Sequence, residues 1–156
     1  PHEIEVESVN VITTLIPSAI RYSVYIEERE TSNVLIIDNI GMLSKLYFYA
    51  HTCYIGGGFG NGIHNITEAA VYGKPVVFGP AFQKFREAKD LIRLKGAFSV
   101  QSALEFEAVM NRLLQEEELY QQACKASYNY VREQQGATEK IISKVLSDYQ
   151  QGAGLL

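Results

Sequence analysis

The stretch Tyr54–Pro80, YIGGGFGNGIHNITEAAVYGKPVVFGP, decides how the rest of the chain is read. A short apolar run leads into Gly56, Gly57, Gly58, Gly60 and Gly62. A helical segment, NITEAAVYG, follows and closes on Gly73, and PVVFG then reads as a second buried strand. Strand, loop, helix and strand in that order form a crossover unit, which requires parallel strands. The flanks repeat the pattern. NVLIID (Asn33–Asp38) is a strand ending in an acid, and MLSKLYFYA sets Leu43, Leu46, Tyr47 and Ala50 at helical spacing. FQKFREAKDLIRLKG is a helix with Gly96 as its stop, AFSV is a further short strand, and from Ser102 onward the pattern is helical. The expected class is α/β, a Rossmann-like parallel sheet with helices on both faces.

The chain opens on PHEIEVESVNVITTLI, where a helix is expected from about Glu3. In such a sheet a strand normally precedes a helix, so the domain is expected to lack its first strand and to be a fragment of a longer protein. Residues 1–150 are read as one domain and residues 151–156 as a frayed tail. Across 156 residues the apolar share is 47%, enough for a sizeable core, and charged residues make up 21%. The net charge is −4 and Lys and Arg are distributed along the chain, so no nucleic-acid partner is expected. No apolar run approaches the roughly 18 residues of a membrane span. Cys53 and Cys124 stand far apart without a CxxC spacing, which fits two thiols better than a metal site or a disulfide framework.

The glycine loop fails the familiar phosphate motifs. A dinucleotide fingerprint needs Gly at i, i+2 and i+5; the third position is Asn61, Ile63 or Asn65 in the available registers. A Walker loop ending at Gly62 would need Lys where Ile63 stands. Asn65 occupies the place of a helix N-cap, with Glu68 three residues on as in a capping box. The same arrangement offers backbone N–H groups and a helix dipole at the mouth of a strand, where open α/β sheets bind phosphorylated ligands. A carboxylate at Glu68 would suit a ribose diol. Cap and ligand role both stand. Gly58 and Gly60 are expected to take conformations closed to residues with a Cβ.

These residues resemble a family. PHEI, IDNIGMLSKLYFYA, the glycine stretch itself and FQKFREAKDLI are similar to the carboxy-terminal half of 3-deoxy-D-manno-octulosonic acid (Kdo) transferases, over Pro1 to about Ala137. GGGFGNGIHNITEA is the most specific part of the likeness. The resemblance implies the second, donor-binding domain of a GT-B glycosyltransferase that moves Kdo from CMP-Kdo to lipid A. It implies that Pro1 and His2 contact the CMP moiety and that Gly41, Met42 and Leu43 form the turn near the base. Gly57 and Gly58 would belong to the loop at the phosphate, and Asn65, Ile66, Thr67 and Glu68 would hold phosphate and ribose. Met42 stands where many members carry Glu. The catalytic base and the acceptor site would lie in an amino-terminal domain, so no catalytic residue is expected here and the chain alone would be inactive. The resemblance implies no metal or cofactor. It places the full-length protein on the cytoplasmic side of the inner membrane and leaves this fragment soluble.

His64 either touches the phosphate or packs locally, and His51 is read as structural. Tyr47, Phe48 and Tyr49 are read as core and helix surface. Two other classes share the pattern: another GT-B-type enzyme, using a UDP-sugar or epimerising a sugar nucleotide, and a non-enzymatic scaffold domain whose loop packs only on itself.

Overall fold

The computed structural model describes residues 6–28 and 32–153. The chain divides into two compact units, Pro1–Tyr49 and Ala50–Leu156. The first contains α1 (Val6–Leu15), β1 (Ile20–Arg21), α2 (Tyr22–Glu28), β2 (Leu35–Ile36) and the single turn α3 (Leu43–Leu46), which runs on into a 3₁₀ turn at Tyr47–Tyr49. β1 and β2 pair in parallel, with Ile20 opposite Leu35 and Arg21 opposite Ile36. β1 has no counterpart in the sequence reading. Two residues are too short for any alternation of apolar and polar side chains to show, and only the pairing makes them a strand.

Beyond β2 the chain reaches Asp38, which accepts hydrogen bonds from the Ser23 backbone N–H (3.1 Å) and hydroxyl (2.6 Å). Burial pushes the Asp38 carboxyl up, but the Ser23 bonds and the nearby Arg21 guanidinium outweigh it and hold it below the usual range.

The second unit carries β3 (Cys53–Ile55), α4 (Thr67–Ala70), β4 (Val76–Phe78), α5 (Arg86–Arg93), β5 (Ala97–Ser99), α6 (Ala103–Gln115), α7 (Glu117–Gln134) and α8 (Ala137–Ala153). Its strands run β3-β4-β5, all parallel, with Ile55 opposite Phe78 and Phe78 opposite Ser99. The crossover units expected from the sequence are present. Val76, Val77 and Phe78 are wholly buried, as the central strand of a covered parallel sheet must be. Val77 joins Val100, Leu113 and Ala123 in a cluster that Phe98, Phe106, Val109, Met110 and Leu119 extend, so α6 and α7 are held by apolar burial. Of the expected tail, residues up to Ala153 belong to α8 and 154–156 lie outside the described residues. No helix among the described residues is long and apolar enough to cross a membrane. Arg86, Lys89 and Arg93 do share the outer side of α5, but Asp90 sits among them and pairs with both arginines (3.6 and 3.4 Å).

α4 stops at Ala70, earlier than expected, and Gly73, with a left-handed backbone (φ 66°), ends the turn that follows it. At the end of α5 the left-handed position falls instead on Lys95 (φ 63°). The Gly96 N–H reaches the Leu91 carbonyl and the Lys95 N–H that of Ile92, the two bonds of a Schellman turn. Gly96 serves another purpose: a Cβ there would lie 2.8 Å from Ser127 Oγ, and that hydroxyl donates to the Gly96 carbonyl at 3.0 Å, drawing α7 onto the turn.

The glycine loop is shaped by its own chain. A Cβ on Gly58 would fall 2.6–2.9 Å from the backbone of Gly79, and one on Gly79 would fall 2.6 Å from the Gly58 carbonyl carbon. The Ala81 N–H then donates to the Gly58 carbonyl at 2.9 Å. The expected conformation is not found at Gly58, which avoids positive φ; a Cβ is excluded there by crowding instead. Gly60 also avoids positive φ, and the nearest atom to an added Cβ is 3.7 Å away. Gly58→Ala is expected to cost about 2 kcal/mol, as overpacking against rigid backbone does. Gly60→Ala should stay within about 0.5 kcal/mol of the parent. Urea unfolding of the two variants checks the contrast.

Candidate functional site

The second unit gathers the polar residues of the loop exit around α4. The Asn65 side chain accepts from the Thr67 N–H (3.0 Å) and the Thr67 hydroxyl (2.6 Å), while its amide nitrogen donates to Glu68 Oε1 (3.0 Å). This differs from the expected capping box. The helix begins one residue later, with Ile66 at the cap position and no side-chain cap of its own. Ile66 is wholly buried and anchors the turn, and Asn65 supplies the capping oxygen from one residue further back. Glu68 faces the Asn65 side chain rather than a backbone N–H. Its carboxylate has room for further donors, because one hydrogen bond leaves the second oxygen able to accept.

Gly57 turns with φ 86°, and a Cβ there would lie 2.3 Å from the Gly62 carbonyl and 3.3 Å from the His64 ring. The His64 ring thus packs across the loop, and the His64 backbone N–H donates to the Gly56 carbonyl at 3.1 Å. α4 is a single turn, so it aligns few peptide dipoles, and its Thr67, Ala69 and Ala70 N–H groups are already bonded to Asn65 Oδ1 and the Ile66 carbonyl.

Asn65, Thr67 and Glu68 are therefore brought together by direct bonds, with Gly57, Gly58 and Ile66 as the frame. Gly41, Met42 and Leu43 belong to the first unit. Gly41 there has φ 90°, and Met42 caps α3 while its sulfur receives the Asn39 side-chain amide at 2.9 Å. Pro1 and His2 lie outside the described residues.

Two features went unread in the sequence. Tyr54, Phe59, Val100, Ser102, Ala103 and Phe106 line an apolar cleft of about 310 Å³, where the Tyr54 and Phe106 rings meet edge to face at 5.4 Å. The rim of that cleft is set by Ser102, which caps α6 by accepting from the Glu105 N–H. The second feature is Gly79, whose contact with Gly58 only the strand register creates. His51, read as structural, stacks on Tyr120 at 3.9 Å. No group of three or more His, Cys, Asp or Glu among the described residues could hold a metal ion.

With this geometry in view, comparison with known proteins is decisive for the fold. The C-terminal CMP-Kdo binding domain of WaaA from Acinetobacter baumannii superposes with a TM-score of 0.72, covering 84% of this chain and 70% of that one at 23% identity. The chain has the α/β fold of that GT-B domain. The 3-deoxy-D-manno-octulosonic acid transferase of Aquifex aeolicus is 33% identical over 89 residues, 56% of this chain and 25% of that protein. That of Rickettsia bellii is 33% identical over 85 residues, 54% of this chain and 20% of that protein. A bifunctional glycosyltransferase/methyltransferase of Fusobacterium nucleatum is 34% identical over 93 residues, 56% of this chain and 14% of that protein. The chain resembles Kdo transferases. Each match spans a quarter or less of those curated relatives. No protein-family model matches the chain.

The cysteines stand apart from this chemistry. Burial pushes the Cys53 thiol up to about 11, against a small opposing pull from Lys74, and burial also raises Cys124. The reactive thiolate is therefore scarce at neutral pH. At pH 8 a thiol reagent is expected to label Cys53 only as fast as the protein opens, and addition of denaturant should release the full reaction. Prompt labelling of the folded chain at Cys53 contradicts its burial.

Proposed function

We propose that this chain is the donor-binding part of a glycosyltransferase that transfers Kdo from CMP-Kdo to lipid A. The observation that carries the reading is a coincidence of two likenesses. The chain matches Kdo transferases in sequence over about half its length, and it shares the fold of a CMP-Kdo binding domain over 84% of it. That second span also supports reading residues 1–150 as one functional domain.

In this reading CMP leaves the anomeric carbon of Kdo as a phosphate anion, and the glycine loop with the Glu68 backbone N–H stabilises the departing charge. Asn65 and Glu68 fix the orientation of the ribose, Glu68 through its carboxylate and Asn65 by holding Glu68, which is positioning rather than bond-making. Pro1, His2, Gly41, Met42 and Leu43 are proposed in their own right as nucleotide contacts, with backbone groups at the Gly41 turn carrying recognition where Met42 has no charge to offer. The base that activates the acceptor hydroxyl and the lipid A site belong to a further domain, and the complete enzyme works on the cytoplasmic side of the inner membrane.

The 156-residue chain is accordingly expected to bind CMP more tightly than UMP and to transfer no Kdo when supplied with CMP-Kdo and lipid A. Glu68→Gln tests the site. Gln can keep the bond from Asn65, so melting should barely move, while loss of a charge-assisted bond to ribose weakens CMP binding about tenfold or more. Asn65→Ala should lose about 1 kcal/mol of stability with its cap, and binding along with it. Calorimetric titration beside thermal melting reads both. Unchanged CMP affinity in Glu68→Gln would make Glu68 a purely local element of the turn and remove it from the site.

A further inference from the structure

We propose that Phe85 is a positioning residue for the nucleotide, acting through Gly62 rather than by touching the ligand; the inference rests on the CMP-binding reading. Gly62 has φ 137°, and a Cβ built there would lie 2.9 Å from Cε2 and 3.0 Å from Cζ of Phe85. The loop backbone thus rests on the edge of the ring. Three residues later the chain reaches Asn65, whose side chain holds both Thr67 and Glu68. Moving the backbone at Gly62 moves the start of that turn.

The backbone that carries the ring is held from the sheet side. The Phe85 N–H donates to the Phe82 carbonyl at 2.9 Å, and the Phe85 carbonyl accepts from Lys89 at 3.4 Å as α5 begins. Phe82 packs 5.6 Å from Phe78, which has no exposure at all. The same segment grips the loop at its other end, where Gly79 abuts Gly58 and Ala81 donates to the Gly58 carbonyl. Residues 79–85 are therefore a seat with two points of contact. The Gly58 end is backbone on backbone, and the Gly62 end depends on one side chain.

Two substitutions separate seating from packing. Phe85→Leu removes the ring edge. Phe85→Tyr keeps the ring and its buried area but adds an oxygen on Cζ, the atom facing Gly62. Both are to be titrated with CMP in the 156-residue chain, with thermal melting and the backbone amide spectrum of Gly57–Glu68 recorded alongside. Displacement of the loop should weaken CMP binding about tenfold in each variant. Phe85→Tyr should melt with the parent while the amide signals from Gly62 to Glu68 shift. Tyr and Leu variants that bind CMP like the parent overturn the proposal. So does a Leu variant that loses affinity only in step with stability while the Tyr variant binds normally, since Phe85 is then only a core residue. If the folded parent itself binds no CMP, the nucleotide reading fails first, and this inference with it.

Discussion

The close approach of Gly58 to Gly79 is the constraint on which the loop depends. With β3 and β4 in parallel register, Ile55 lies opposite Phe78, so the chain leaving β3 passes directly over the residue that follows β4. At that crossing an added Cβ on either glycine would come to 2.6 Å from the other's backbone. Only a pair of glycines admits the contact. The Ala81 N–H bond to the Gly58 carbonyl then becomes possible, and with it the path that carries the loop to Gly62 and Asn65. A glycine-rich loop at the end of a strand invites the reading that a ligand needs the space. At Gly58 the space is taken by the protein.

The parts of the fold that were legible in the sequence are those whose signal is local. β3, β4 and β5 each carry an apolar run between turn residues, and α5 to α8 show helical spacing over two turns or more. Gly73 could be read as a stop because a left-handed residue at the end of a turn is a property of the turn alone. β1 was not legible because Ile20 and Arg21 become a strand only by pairing with Leu35 and Ile36. Lys95 takes the left-handed role expected of Gly96 for the same kind of reason. The left-handed turn tolerates Lys95 at a modest cost, whereas the approach of Ser127 from α7 excludes any side chain at residue 96.

The candidate site divides along the same line. Asn65 and Glu68 could be picked out from their spacing, since a cap three residues before an acid is a local pattern. Which groups bond to which could not, because the choice depends on whether Ile66 or Asn65 sits at the cap position, and the burial of Ile66 decides that. Gly58 and Gly60 look alike in the sequence and differ in the structure because a Cβ on one collides with β4's successor and a Cβ on the other makes only an ordinary 3.7 Å contact with the Gly57 carbonyl. Counting glycines gives the capacity for close approach but not the thing approached.

This division assigns the loop's rigidity and its chemistry to different residues. Gly58, Gly62 and Gly79 hold the backbone path through contacts that exist without any ligand, and Ile66 pins the exit into the core. Asn65 then ties Thr67 and Glu68 together, with its oxygen facing two donors and its nitrogen facing a carboxylate. That polarity leaves the Asn65 side chain committed to the turn, so the remaining acceptor capacity resides on Glu68. A loop ordered in advance spends little conformational entropy on binding, and a carboxylate held at one oxygen loses less rotamer freedom when the other takes up a hydroxyl. Under the proposed function a donor would be gripped through ribose and a single phosphate, so few contacts would be available. Preorganisation of those few is the term the protein can enlarge, and the glycines that would loosen a free loop are the residues that fix this one.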